Sequence, residues 1–87
     1  AALLRAARAE LAGALAALVG VQAFPSEANM ILVRVSDARR AFEGMKARGV
    51  LVKNVGAMHP LLENCLRLTV GTRDENAQML RALEESL

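Results

Sequence analysis

A chain of 87 residues is long enough for one small core and too short for two. Apolar residues make up 54% and charged residues 23%, a globular balance that excludes a disordered chain. Eleven basic against nine acidic residues leave a net charge of +2, too weak a field to imply a polyanion partner.

Residues 2–19 are Ala and Leu with scattered charge, and Leu4, Leu11, Leu15 and Leu18 fall on one helical stripe. Arg8 interrupts that stripe, so the first turns are expected to reach past the core. Arg5, Arg8 and Glu10 separate this stretch from a signal peptide, whose apolar run is uncharged. Gly20 ends the helix. A short strand over 21–24 follows, broken at Pro25 and Ser26. The β-branched run 30–35 predicts a second strand, with Ile31, Val33 and Val35 on one face and Met30, Leu32 and Arg34 on the other.

Ser36 is the expected N-cap of the next helix, with Asp37 at its positive end. Ala38, Ala41, Phe42 and Met45 form its apolar face, and Gly49 closes it after Arg48. A third strand is predicted over 50–55, then a loop over 56–64 in which Pro60 prevents ladder pairing. The last strand spans 65–70. Thr72 and Glu75 then make a capping box, and the final helix buries Met79, Leu80, Leu83 and Leu87. The predicted fold is α+β, a small, mainly antiparallel sheet with helices on one face, in the order α-β-β-α-β-β-α.

Strand parity singles out the opposite face. Leu66, Leu68 and Val70 must meet the helices, so Cys65, Arg67 and Thr69 point away from them. If Val50 and Val52 face the helices, Lys53 joins Arg67, together with Leu51 and Val55, and with Met30 and Leu32 as further candidates. A semi-apolar face with two cations suggests contact with something else. Arg67 reads either as a bidentate clamp for a carboxylate or phosphate or as an ordinary outward strand arginine. Lys53 reads as a second anion contact or as an exposed strand lysine. His59 has the side chain for acid–base work, yet its loop setting fits a structural or solvent-facing role better. Cys65 is expected half-buried beside Arg67, not as a nucleophile.

Other chemistry is missing. No phosphate-binding glycine loop, no paired carboxylates and no metal-ligand spacing occur. The single Cys65 excludes an internal disulfide and fits a reducing compartment. No apolar run reaches the ~18 residues of a membrane span. With no Trp or Tyr and only Phe24 and Phe42, stacking platforms for single-stranded nucleic acid are lacking.

Several segments carry a family likeness. FPSEANMILVRV (24–35), RGVLVKNV (48–55) and HPLLENCLRLTVGTRDENAQMLRAL (59–83) resemble the C-terminal small domain of histidinol-phosphate aminotransferases, fold-type I pyridoxal-phosphate enzymes. The likeness covers essentially the whole chain, and the motif over 65–72 is its most specific part. It implies that residues 1–87 are one domain of a larger, cytoplasmic, homodimeric enzyme. That enzyme would move an amino group between L-histidinol phosphate and 2-oxoglutarate in histidine biosynthesis. Pyridoxal 5'-phosphate would be held by a large domain absent from this chain, so the chain alone would hold no catalytic residue and be inactive. The family's substrate-binding arginine matches Arg67. Lys53 stands where many members carry another arginine; it keeps the charge and loses the planar fork. Asn29 matches the Asn of the family's P-S-x-A-N turn, and Met30 stands where Phe is usual. A phospho-amino-acid decarboxylase or an aromatic aminotransferase could share this domain. A freestanding α+β regulatory or binding module is the alternative from another class.

Overall fold

The computed structural model describes residues 2–25 and 28–87, with side chains from Arg5 onward. The chain runs α1 (Ala2–Ala17), β1 (Gln22–Ala23), β2 (Met30–Arg34), α2 (Ala38–Ala47), β3 (Lys53–Asn54), a 3₁₀ turn (Pro60–Leu62), β4 (Cys65–Thr69) and α3 (Arg73–Ser86). The strands form one sheet in the order β1-β2-β4-β3, and every pair is antiparallel. This is the predicted α+β class with the predicted order of elements.

Alternation in β2 and β4 builds the core. Ile31, Val33, Leu66 and Leu68 have no exposed surface, and Val35 and Val70 continue the two rows. Leu11 and Leu15 of α1, Ala38, Ala41 and Met45 of α2, and Met79, Ala82 and Leu83 of α3 close over them in one cluster. Each fully buried Leu, Ile or Val contributes about 1.5–3 kcal/mol relative to exposure. Leu18, Phe42, Leu80 and Leu87 pack at its margin, half-buried. In α1 it is Ala7 that continues the Leu11–Leu15 stripe toward the N-terminus. The side chain of Leu4, and Ser26 at the expected strand break, lie outside the described residues. Arg8, the interruption in that stripe, donates to the Ala28 carbonyl at 3.0 Å and so ties the helix to the β1–β2 connection.

The helix ends follow their local chemistry. The α2 N-cap is Asp37, one residue later than expected. Its carboxylate accepts from the Arg40 N–H at 3.1 Å, while the Ala38 N–H is satisfied by Asn64 Oδ1 at 3.1 Å. That second donor is used by a residue far along the chain, which moves the start of the helix past Ser36. At the other end Gly49 takes φ +81°, and the N–H groups of Gly49 and Val50 bond back to the carbonyls of Lys46 and Met45. This paired closure needs a left-handed residue, hence glycine. The Thr72–Glu75 capping box opens α3 as predicted, and both of its reciprocal bonds are present.

Two strands are shorter than predicted. β1 keeps only Gln22 and Ala23 within 21–24, although the Phe24 N–H still reaches the Leu32 carbonyl at 3.0 Å. β3 keeps only Lys53 and Asn54 within 50–55. Val50 is held by the closure of α2, which delays the ladder, and Asn54 Oδ1 accepts from the Gly56 N–H, which turns the chain away. Val50 and Val52 nevertheless lean on the core as expected.

Candidate functional site

Register converts the strand faces into rows. Leu32 of β2, Arg67 of β4 and Lys53 of β3 are Cα partners across three adjacent strands. Residues directly opposite one another in an antiparallel pair point to the same side. On either side of this row lie Gln22–Arg34–Cys65 and Met30–Thr69. None of these side chains belongs to the helix-covered cluster, so they form the open face of the sheet.

Arg67 stands at the middle of that face on an interior strand. It is half-buried, and Lys53 beside it is exposed. Among the described residues neither side chain has a hydrogen bond or an ion pair. The two ion pairs seen among those residues, Arg48–Glu85 and Glu10–Arg73, join helices instead. Among the described residues no strand contains Asp or Glu. The row therefore offers a planar five-donor fork and an ammonium side by side, with Leu32 as an apolar wall. That combination suits a carboxylate or phosphate.

The face is smaller than strand parity suggested. Val55 is buried rather than open, and Cys65 has no exposed surface rather than being half-buried. The 56–64 connection, the expected loop, contacts both: its Met58 N–H donates to the Val55 carbonyl at 3.0 Å and its Glu63 carbonyl lies 3.6 Å from the Cys65 thiol. Its 3₁₀ turn is capped by His59, whose Nδ1 accepts from the Leu61 N–H at 3.0 Å. His59 is thus a structural residue here, and the buried Cys65 is no accessible nucleophile. Leu51 is 76% exposed but lies outside the ladder, at the edge of the sheet.

The role of Arg34 is not legible from its neighbours in the chain. Its Nε donates to the Glu63 carbonyl at 3.0 Å, its Nη2 donates to the Leu61 carbonyl, and its Cζ lies 5.3 Å from the centre of the Phe24 ring. These partners are 29, 27 and 10 positions away, so no local pattern could announce them.

No cofactor cradle is built by the described residues. Imine-forming lysines are activated in desolvated pockets. Lys46 and Lys53, the lysines of this chain, are both exposed, one on the last turn of α2 and one on the edge strand. Among the described residues no cluster of His, Cys, Asp and Glu could hold a metal, and no helix is long and apolar enough to cross a membrane.

A histidinol-phosphate aminotransferase of Methylibium petroleiphilum is 68% identical to this chain over 84 residues. The chain is homologous to one segment of the histidinol-phosphate aminotransferases. That match takes in 97% of this chain and 23% of the relative, so the chain spans about a quarter of the length of the curated relatives it matches. No family model matches the chain. The histidinol-phosphate aminotransferase structure from Clostridium acetobutylicum superposes with a TM-score of 0.88 at 16% identity, over 97% of this chain and 26% of that one. L-threonine-O-3-phosphate decarboxylase from Porphyromonas gingivalis gives 0.85 at 24% identity, over 94% and 26%. At those identities the two structures show the shared fold alone.

Proposed function

We propose that this chain is the small domain of a pyridoxal-phosphate-dependent histidinol-phosphate aminotransferase, and that Arg67, assisted by Lys53, binds the anionic end of the substrate. The carrying observation is an arginine on an interior strand, half-buried, uncommitted, and flanked by an apolar residue and a second cation. A structural arginine in such a place would be expected to have found a carboxylate. The 68% identity to a relative of that name supports the assignment. The same fold occurs in a decarboxylase of a phosphorylated amino acid, so fold does not separate transamination from decarboxylation. Identity favours the former.

In this reading the cofactor, its lysine and the residues that cup its phosphate lie in a large domain outside this chain, and the full-length enzyme is a cytoplasmic homodimer. The amino group passes between L-histidinol phosphate and 2-oxoglutarate. This domain binds and orients the substrate: the fork of Arg67 fixes one end, and the apolar margin of the open face excludes water as the two domains meet. Arg67→Ala in the full-length protein tests it. Removing one partner of a buried charge pair costs about 2–5 kcal/mol, so kcat/KM with histidinol phosphate should fall by roughly 30-fold to several thousand-fold. An unchanged kcat/KM would overturn the role of Arg67.

A further inference from the structure

We infer that Arg34 is a positioning residue for the anion site: it pins the 59–63 turn beside Arg67 and neutralises the carbonyl oxygens of that turn. The inference rests on the proposed role of Arg67.

Three cations share the open face, and their commitments differ. Arg67 and Lys53 have no partner among the described residues, whereas Arg34 is occupied. Two of its nitrogens hold the Leu61 and Glu63 carbonyls, and its plane sits over Phe24. Arg34 therefore does not compete for substrate. It is the Cα partner of Cys65, two positions along β4 from Arg67. Side chains in that diagonal relation stand about 7–8 Å apart. The pinned turn is thus a wall of the site. It also roofs Cys65, whose thiol contacts the same Glu63 carbonyl at 3.6 Å.

Electrostatics gives the placement a purpose. A carbonyl oxygen is the negative end of a dipole, and two of them beside an anion site repel the anion. Charge-assisted bonds from a guanidinium cancel that field and fix the wall in one geometry. Lysine cannot replace it fully. An ammonium keeps the charge but has no planar fork to span two carbonyls and no plane to lay over Phe24.

The test uses the full-length enzyme carrying Arg34→Met, which keeps the stem and drops the charge, and Arg34→Lys, with Arg67→Ala alongside. The expected result for Arg34→Met is a KM for histidinol phosphate raised about tenfold with kcat within about twofold, the mark of lost substrate binding. Competitive inhibition by inorganic phosphate should weaken in parallel. Alkylation of Cys65, followed on its own peptide by mass spectrometry, should become faster as the roof loosens. Arg34→Lys should give the same directions with a smaller KM change. A merely structural role would lower the active fraction and so the apparent kcat, leaving KM alone. A normal KM in both Arg34 variants, beside a damaged Arg67→Ala enzyme, would overturn the role of Arg34 only. A normal Arg67→Ala enzyme would remove the underlying site instead. Should Arg34→Met not accumulate as folded protein, Arg34→Lys is read alone by the same criteria.

Discussion

Lys53 and Arg67 face each other directly across β3 and β4, and among the described residues no strand holds an acidic residue to balance them. Like charges directly opposite in a sheet are unfavourable, by an amount similar to the roughly 0.2–1 kcal/mol that a good cross-strand pair contributes. A sheet selected for stability alone would not keep that pair. Replacing Lys53 by Thr, a better strand former, should therefore stabilise the 87-residue chain by about 0.2–1 kcal/mol. Urea unfolding at low salt measures the gain, and high salt should shrink it by screening the repulsion in the parent. A loss of stability that salt does not alter would show that the lysine stem packs usefully and that its charge costs nothing. In the full-length enzyme the same change should weaken anion binding, so stability and binding should move in opposite directions.

At the scale of elements, the opening of α3 carries a pH dependence of definite sign. The Glu75 carboxylate accepts from the Thr72 N–H at 2.9 Å, and the Glu75 N–H donates to Thr72 Oγ1 at 3.2 Å. The Thr72 backbone N–H, and after it the Thr72 hydroxyl, stabilise the charged form and hold the Glu75 carboxyl below its ordinary value of 4.5. A carboxyl depressed in the folded state binds more protons when unfolded. Its stabilisation is therefore complete above the ordinary value and is lost as pH falls below it, through the lowered folded-state value. Glu75→Gln retains a side-chain acceptor for the box and should flatten the acid limb of a thermal-stability-against-pH profile. An unchanged acid limb would assign the dependence to other carboxylates.

The α2–α3 seam gives a second prediction. A Cβ on Gly44 would lie 2.5 Å from Ser86 Oγ and 2.7 Å from Ser86 Cβ. Ala would gain about 1 kcal/mol of helix propensity. Overpacking of this kind typically costs about 1–3 kcal/mol, so Gly44→Ala should be neutral to destabilising by about 2 kcal/mol. Because the clash reaches the Ser86 Cβ, adding Ser86→Gly should relieve it, whereas Ser86→Ala should not. A double-mutant cycle by urea unfolding decides between them. Rescue by Ser86→Ala would place the clash at the hydroxyl alone.

These elements also show what the residues alone could disclose. The faces of β2 and β4, the Thr72–Glu75 box and the Gly49 closure depend on neighbours within a few positions, and all were legible. The short β3, the Asp37 cap and the burial of Val55 and Cys65 were not. The Asp37 cap is decided by the Asn64 side chain, 26 positions from the Ala38 N–H it accepts from, while the short β3 and the burial of Val55 and Cys65 follow from how the α2 closure and the 56–64 connection settle, which strand alternation does not encode. The placement of Arg67 on the open face belongs to the legible set because alternation is local. The anchoring of Arg34 belongs to the other.

In the molecule as a whole, apolar side chains stay uncovered on and beside the open face. Met30, Met58, Leu51 and Leu61 are 38%, 63%, 76% and 75% exposed. Met30 belongs to that face, Met58 and Leu61 to the connection folded beside it, and Leu51 to the sheet edge. A domain near this size buries only about 60–70% of the surface its unfolded chain would show, so uncovered apolar area weighs heavily on its margin. The chemistry is equally one-sided. The open face carries a half-buried arginine, and among the described residues no lysine is placed to form an imine, since Lys46 and Lys53 are exposed. Titrating the isolated 87-residue chain with pyridoxal phosphate should therefore leave the cofactor's absorbance unchanged, and histidinol phosphate with 2-oxoglutarate should not turn over. Slow, non-saturating modification of exposed amines at millimolar cofactor would fit this expectation. A saturable band at micromolar cofactor, lost in Lys53→Met, would mean that the sheet face itself builds a cofactor site, and that the division of labour argued for Arg67 is wrong.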